Sequence, residues 1–421
     1  MQRNNGKHAA CVTAWIMAAG WVVLILAAIP FARRIQADLI GLAGEGADRF
    51  AAAVLVGLAG MGALGWIWWP PRDKPMRRTW GLIFVALFTF WLFETQLQSS
   101  VEALHVLEYA TLAALLYHAW RHHVADRLVY FISAASVGLF SWIDEFLQWL
   151  MPGRFWDFQD IRLNILAGAM MLIFIAFVLR PAGISATVAR RSVRYLCGLS
   201  WGLLFALGFA VSATPQRVDG LVHKKPILSF LYNNESVMSE YGYRHEDPDV
   251  GIFFSRLTLP ELRRDDQERG VEVGTRLLTT DILAEPRKLR ELFPASADPY
   301  MHEAGAHLIR RDQYYITARK YQRADPPRFV YHLTVALGEN RILEKYFPQM
   351  LATANRHWPK ERVEECRQKA GVSAPYTSEV GQNLITAVTE SQLRGGLWIL
   401  AALVGWGYVR WGRDPNSCRK E

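Results

Sequence analysis

Between residues 9 and 213 the chain is a series of apolar runs of about 18 to 24 residues, separated by short polar breaks. No other feature restricts the fold as much. A run of that length crosses a bilayer as a helix, because backbone N–H and C=O groups in hydrocarbon have no water to bond. The runs fall at about 11–32, 51–69, 79–97, 101–120, 127–150, 161–180 and 194–213, and another near the end covers 395–410. The first is too long for the apolar part of a signal peptide and further runs follow it, so it reads as a retained anchor. Residues 215–394 have the mixed composition of a soluble domain and enough length for a core of their own.

The expected class is an all-α polytopic membrane bundle of about eight transmembrane helices with an α+β extracytoplasmic domain. The expected divisions are 1–78 for the N-terminal transmembrane helices, 79–180 for a membrane core and 181–214 for a connecting transmembrane helix. Residues 215–394 form the extracytoplasmic domain, and 395–421 the last transmembrane helix with a cytoplasmic tail. Within 215–394, the alternation at Tyr314–Ala318 and Phe329–Leu337 predicts strands. Helices are predicted at 259–269 and 339–357, a linker around Pro215, Gly220 and Pro226, and a surface loop over 241–249.

The net charge of +8 raises the question of nucleic acid, but no stripe of interleaved basic and aromatic residues accompanies it, so none is expected as a partner. In a membrane chain, Lys and Arg collect on the cytoplasmic side. With the N-terminus inside, the inner segments 1–10, 70–79, 121–127, 180–194 and the tail carry 16 of them, and the short outer loops carry four. Both termini are then cytoplasmic, and 215–394 lies outside. The four cysteines, Cys11, Cys197, Cys366 and Cys418, form neither a disulfide framework nor a CxxC zinc spacing.

The chemistry gathers at one place. Residues 140–168 hold a dense set of ionisable groups around Pro152-Gly153, between two apolar runs, where charge is costly. With this topology His105, Glu108 and Tyr109 lie near the outer end of one span, Asp144, Glu145 and Gln148 near that of the next. Asp157, Asp160 and Asn164 begin the returning span, and Arg154 is the obvious cation for the carboxylates. His105 and Tyr109 are four apart and share a helix face, as do Asp144 with Gln148 and Asp160 with Asn164. Asp160 sits in a first helical turn, where the dipole favours negative charge.

The ordered pattern His105-x-x-Glu108-Tyr109, Asp144-Glu145-x-x-Gln148, Pro152-Gly153-Arg154, Asp157-x-x-Asp160 and Asn164 resembles the VanZ-like family, over about 80–180. Two departures stand out. Position 102, often Lys in the family, is Glu102. Gly often follows the Asn by three residues, but here that position is Ala167, and Gly168 comes next. The resemblance implies a bacterial cytoplasmic (inner) membrane protein of the cell envelope, with a link to glycopeptide (teicoplanin) resistance. It supplies a place and a theme rather than a reaction.

Four readings of the cluster stay open, and a structural assembly partner stands beside them as a reading of the whole protein. The cluster is a hydrogen-bonded network that fixes packing, or a site for membrane lipid or a lipid-linked cell-wall or exopolysaccharide headgroup. The third is a hydrolase or transferase with His105 as base, against which stands the lack of an adjacent Ser or Cys nucleophile. Proton or ion translocation is the fourth. No metal and no cofactor is expected. One His among carboxylates is thin support for a cation, and His118, His122 and His123 read as a solvated basic loop. His302-Glu303-Ala-Gly-Ala-His307 places its histidines five apart, where a zinc-protease helix needs four.

Overall fold

The computed structural model describes residues 2–31, 60–68, 74–95, 100–152, 154, 156–233, 237–280, 282, 284–370 and 376–412. The chain forms two compact units, Met1–Phe209 with Gly395–Glu421, and Ala210–Arg394.

Among the described residues the first unit is helical. Its helices are α1 (Gln2–Ala28), α2 (Pro75–Thr95), α3 (Ser100–Trp120), α4 (Leu128–Trp149), α5 (Phe158–Ile173) and α6 (Arg190–Ser212). A π-helical turn continues α5 to Leu179, and a further helix, Glu390–Gly407, runs into this unit near the C-terminus. Helix α3 packs against α1, α4 and α5. Its Tyr109, Leu112, Ala113 and Leu116 form the core with Val129, Ile132 and Val137 of α4 and Leu163 and Ala167 of α5. The outer surface is apolar: Trp80, Phe84, Leu87 and Phe90 of α2 and Phe205 of α6 are exposed. In water such a surface would drive association, whereas lipid solvates it.

Five described helical segments are long and apolar enough to cross a membrane: His8–Ala28, Pro75–Thr95, Leu128–Trp149, Phe158–Leu179 and Arg190–Ser212. Three other expected runs stand apart from these. The 101–120 run is α3, whose Tyr109 bonds to the next helix and whose His105 and Glu108 are half-buried. The 395–410 run lies within Glu390–Gly407 and the turn after it. Residues 60–68 of the 51–69 run are helical, and 51–59 lie outside the described residues.

Two polar devices tie helix ends together. Arg78 donates to the carbonyls of Val178 and Leu179, the latter at 2.7 Å, which puts a cation at the carboxyl end of a helix. Asp126 accepts from Leu128 N at 2.9 Å, where α4 begins. Its other oxygen accepts from Ala189 N at 2.9 Å and Ser192 Oγ at 2.6 Å, where α6 begins.

The second unit is mostly helical around one antiparallel hairpin, β1 (Tyr243–Asp247) and β2 (Gly251–Ser255), with Tyr243 opposite Ser255 and Asp247 opposite Gly251. A later segment joins β2 in parallel at Ile252 and Thr377. A Cβ on Gly251, at φ +104°, would lie 2.1 Å from the Tyr376 carbonyl oxygen, so only glycine fits this turn. The helices are α7 (Pro215–Lys224), α8 (Leu259–Thr279), α9 (Arg287–Leu292), α10 (Pro299–Tyr321), α11 (Pro326–Tyr346), α12 (Pro348–Thr353) and α13 (Lys360–Ala370). Phe253, Leu262, Val273, Tyr300, Leu308, Ile342 and Met350 make the core.

Several expectations for this unit are corrected. The segments 314–318 and 329–337 are helical, in α10 and α11. Asp298 and Asp325 cap these helices, and Pro299 and Pro326 open their first turns. Beyond the caps, buried Leu333, Ala336, Leu337, Asn340 and Leu343 recur with helical period, which a nine-residue window conceals. The linker at Pro215 is instead the start of α7, with Pro215 in its first turn. The loop over 241–249 contains β1. The predicted helix at 259–269 continues to Thr279 behind a capping box of Thr258 and Glu261. The helix predicted at 339–357 starts earlier, at Pro326, and breaks at Phe347 before Pro348.

Candidate functional site

Helices α3, α4 and α5 bring the polar residues together. The Tyr109 hydroxyl donates to Asp144 Oδ2 at 2.8 Å, joining α3 to α4. One turn on, Gln148 Nε2 donates to Glu145 Oε1 at 3.1 Å and, more weakly, to Asp144 Oδ1 at 3.4 Å. The Gln148 side-chain carbonyl accepts from the Arg154 guanidinium, which fixes the orientation of the amide. Glu145 Oε2 accepts from Asp157 N at 3.1 Å, pinning the entry to α5. Asp157 itself caps α5, accepting from Gln159 N at 2.7 Å. Neighbouring carboxylates crowd Glu145, with Asp144, Asp157 and Asp160 all within electrostatic reach. Asp144 in turn feels His105 and Arg154.

The cluster has a sealed interior and an open rim. Tyr109, Asp144 and Glu145 are each 1% exposed and Gln148 is 3% exposed. His105 and Glu108 are more accessible, and their Nδ1 and Oε2 atoms lie 3.5 Å apart. Arg154, Asp157 and Asp160 are also half-buried. Asn164 turns elsewhere and donates to Ser141 Oγ at 3.0 Å, one turn before Glu145 on α4. Its Oδ1 is buried with no hydrogen-bond partner among the described residues. The Glu102 side chain lies outside the described residues.

The arrangement matches what a membrane interior demands. Buried carboxylates need donors. Here a phenol, an amide and a backbone N–H provide them, and the Arg154 guanidinium holds the amide in place. Ser141 belongs to this interior, and sequence reading passes over it because a serine in an apolar run carries no signal by itself. Asp126 carries a readable signal, since an aspartate just before a helix is a cap candidate.

Residues 61–180 match the VanZ/LLP1 family model. This segment is a VanZ-like region. It includes α2 to α5 and every residue of the cluster. No curated protein and no solved structure matches the chain. Apolar helices together with the VanZ-like region make this a membrane protein.

The histidine sequences that invite a metal reading are engaged separately. His302 Nδ1 donates to the Phe293 carbonyl at 2.9 Å, while His307 Nδ1 lies 2.5 Å from Glu339 Oε2. His123 Nε2 accepts from Trp15 Nε1 at 2.9 Å, which ties it to α1 rather than to a solvated loop. Among the described residues, no group of three or more His, Cys, Asp or Glu side chains is arranged to hold a metal ion.

Proposed function

We propose that the protein is a cell-envelope factor of the bacterial cytoplasmic membrane. The rim of its VanZ-like region receives the headgroup of a lipid-linked cell-wall or exopolysaccharide intermediate. Lys and Arg counts of 16 against four favour cytoplasmic termini, an outward-facing cluster and an extracytoplasmic second unit. The VanZ-like region supports a cell-envelope role associated with antibiotic resistance.

The observation that carries this reading is the division of the cluster. Its buried members, Tyr109, Asp144, Glu145 and Gln148, fix one another and orient Arg154. The accessible members, His105, Glu108, Arg154, Asp157 and Asp160, lie toward the same helix ends. Carboxylates accept hydrogen bonds from sugar hydroxyls, and Arg pairs with phosphate oxygens. A sugar joined to lipid through phosphate offers both.

Mass spectrometry of the full-length protein, purified in mild detergent, tests this. The wild type is expected to carry a lipid-linked saccharide. Glu108→Gln and Asp160→Asn are expected to lose it at normal folded yield. Tyr109→Phe, in the sealed interior, is expected to cost about 0.5–2 kcal/mol of stability and keep the ligand. Equal occupancy in the rim variants, or no bound saccharide in any preparation, defeats the proposal. Lost yield in both rim variants would make the cluster a packing device.

A further inference from the structure

The hairpin of α10 and α11 carries a run of touching rings. Tyr314 lies 6.2 Å from Tyr331 and 5.0 Å from His332, between ring centroids. His332 is 5.1 Å from Tyr321 and 5.5 Å from Tyr331. Cations stack at both ends: the Arg310 guanidinium lies 4.5 Å from the centre of Tyr314, and that of Arg328 lies 5.7 Å from Tyr321. Arg310 is anchored by Glu339 at 3.2 Å and Glu379 at 2.8 Å, and Arg328 pairs at the surface with Asp325 at 3.1 Å. His332 donates its Nδ1 proton to the Arg328 carbonyl at 2.8 Å, which leaves Nε2 to act as an acceptor when the ring is neutral.

The Tyr331 and Arg328 side of this patch is open to solvent, while Tyr314, Tyr321 and His332 are half-buried. Tyr331 is 49% exposed and the Arg328 side chain 66%. Arg319, Lys320 and Arg323 are exposed close by in the chain, at the end of α10 and in the turn to α11. The surface therefore combines an exposed aromatic ring, Tyr331, with cations that outnumber the carboxylates of Asp325 and Glu379 beside them. A lone ring pair needs no ligand to explain it, but an exposed ring among cations that outnumber the nearby carboxylates complements a particular chemistry. The ring and the cations suit a polymer whose every unit has an apolar ring face and a negative group.

We infer that the α10–α11 hairpin binds a carboxylated polysaccharide, with uronic acid rings stacking on exposed Tyr331 and their carboxylates meeting Arg328, whose surface pairing with Asp325 they replace. A glycerol-phosphate polymer satisfies the cations but has no pyranose face to stack. A neutral glucan has the face but no charge. The inference gives a ligand class to the second unit, and its biological setting rests on the extracytoplasmic placement proposed above. A binding assay in detergent has no sidedness, so its failure and the failure of that placement are separate results.

Calorimetry on the full-length protein, with polygalacturonate oligomers as probe, provides the test. Dextran oligomers and a glycerol-phosphate polymer serve as comparisons. Polygalacturonate is expected to bind, and to bind more tightly than either. Tyr331→Leu and Arg328→Gln are each expected to weaken it by about threefold to tenfold, and Tyr331→Phe to retain it. Arg264→Gln, an exposed arginine on α8, is the control and is expected to change nothing. Absence of polygalacturonate binding overturns the inference. So does equal binding of either comparison polymer, or a Tyr331→Leu variant that binds as the wild type does.

Discussion

At the scale of single residues, the second unit shows how buried charge is kept ionised. Burial alone would push the Glu339 carboxyl up, but His307, Tyr376 and Ser378 outweigh it and hold the group below its ordinary range. Asp247 follows the same logic nearer the surface. Partial burial raises it, but Lys345, Tyr346 and the backbone N–H groups of Asp249 and Val250 bring it down to about 2. A carboxyl depressed in the folded state adds stability above its unfolded value, roughly pH 4, and loses it as pH falls toward the folded value. Asp247→Asn should therefore weaken hydrogen-exchange protection of β1 and β2 at pH 5. The difference from wild type should shrink toward pH 2, after correction for intrinsic exchange. A gap that stays constant with pH would mean that Asp247 acts through shape rather than charge. The long-range partnerships among these are not legible in the sequence. Asp247 meets Lys345 across 98 residues of chain, and nothing local announces such a pairing.

At the scale of elements, close helix packing sets what substitutions the bundle tolerates. A Cβ on Gly168 would lie 2.9 Å from Val137 Cγ1 and 3.3 Å from Cγ2. Valine is stiff at its first side-chain torsion and yields little. Gly168→Ala should cost about 1–3 kcal/mol in thermal unfolding of the detergent-solubilised protein, and adding Val137→Ala should restore most of it. An unrescued double variant would place the strain elsewhere. The contact also explains one departure from the family pattern: the position four residues after Asn164, rather than three, takes the close approach, while Ala167 is buried beside it in the core. Elements of the bundle were readable because lipid leaves a helix little alternative, and the turn of charge at Asp144 and Asp160 follows from helical spacing. The second unit was harder. Its α10 and α11 mix aromatic and β-branched residues that imitate a strand, and the caps at Asp298 and Asp325 carry more information than the residues that follow. Likewise Asp266 accepts from Gln349 N at 3.0 Å and Met350 N at 3.2 Å, capping α12 from α8, a tertiary cap that no local window reveals.

At the scale of the whole molecule, the proposed roles depend on which side of the membrane the second unit occupies. The energetic argument lies in the loops. With the proposed orientation, 16 Lys and Arg residues stay in the cytoplasm and four cross in short loops; the reverse orientation would carry the 16 across. Long domains translocate with little regard to their own charge, so the mixed composition of 215–394 does not oppose this. Cysteine labelling gives a direct measure. Cys11, Cys197, Cys366 and Cys418 are first replaced, using Ala at Cys366 because it is packed in the core beside Trp358 and Ala370. A new cysteine at Val271, exposed on α8, should then react with a membrane-impermeant maleimide in spheroplasts. One at His8, near the start of α1, should react only after lysis. The opposite pattern would turn the His105–Asp160 rim toward the cytoplasm, where a lipid-linked precursor would meet it before export. Labelling at both positions without lysis would mean a dual orientation, and one outward-facing site would then describe only part of the population.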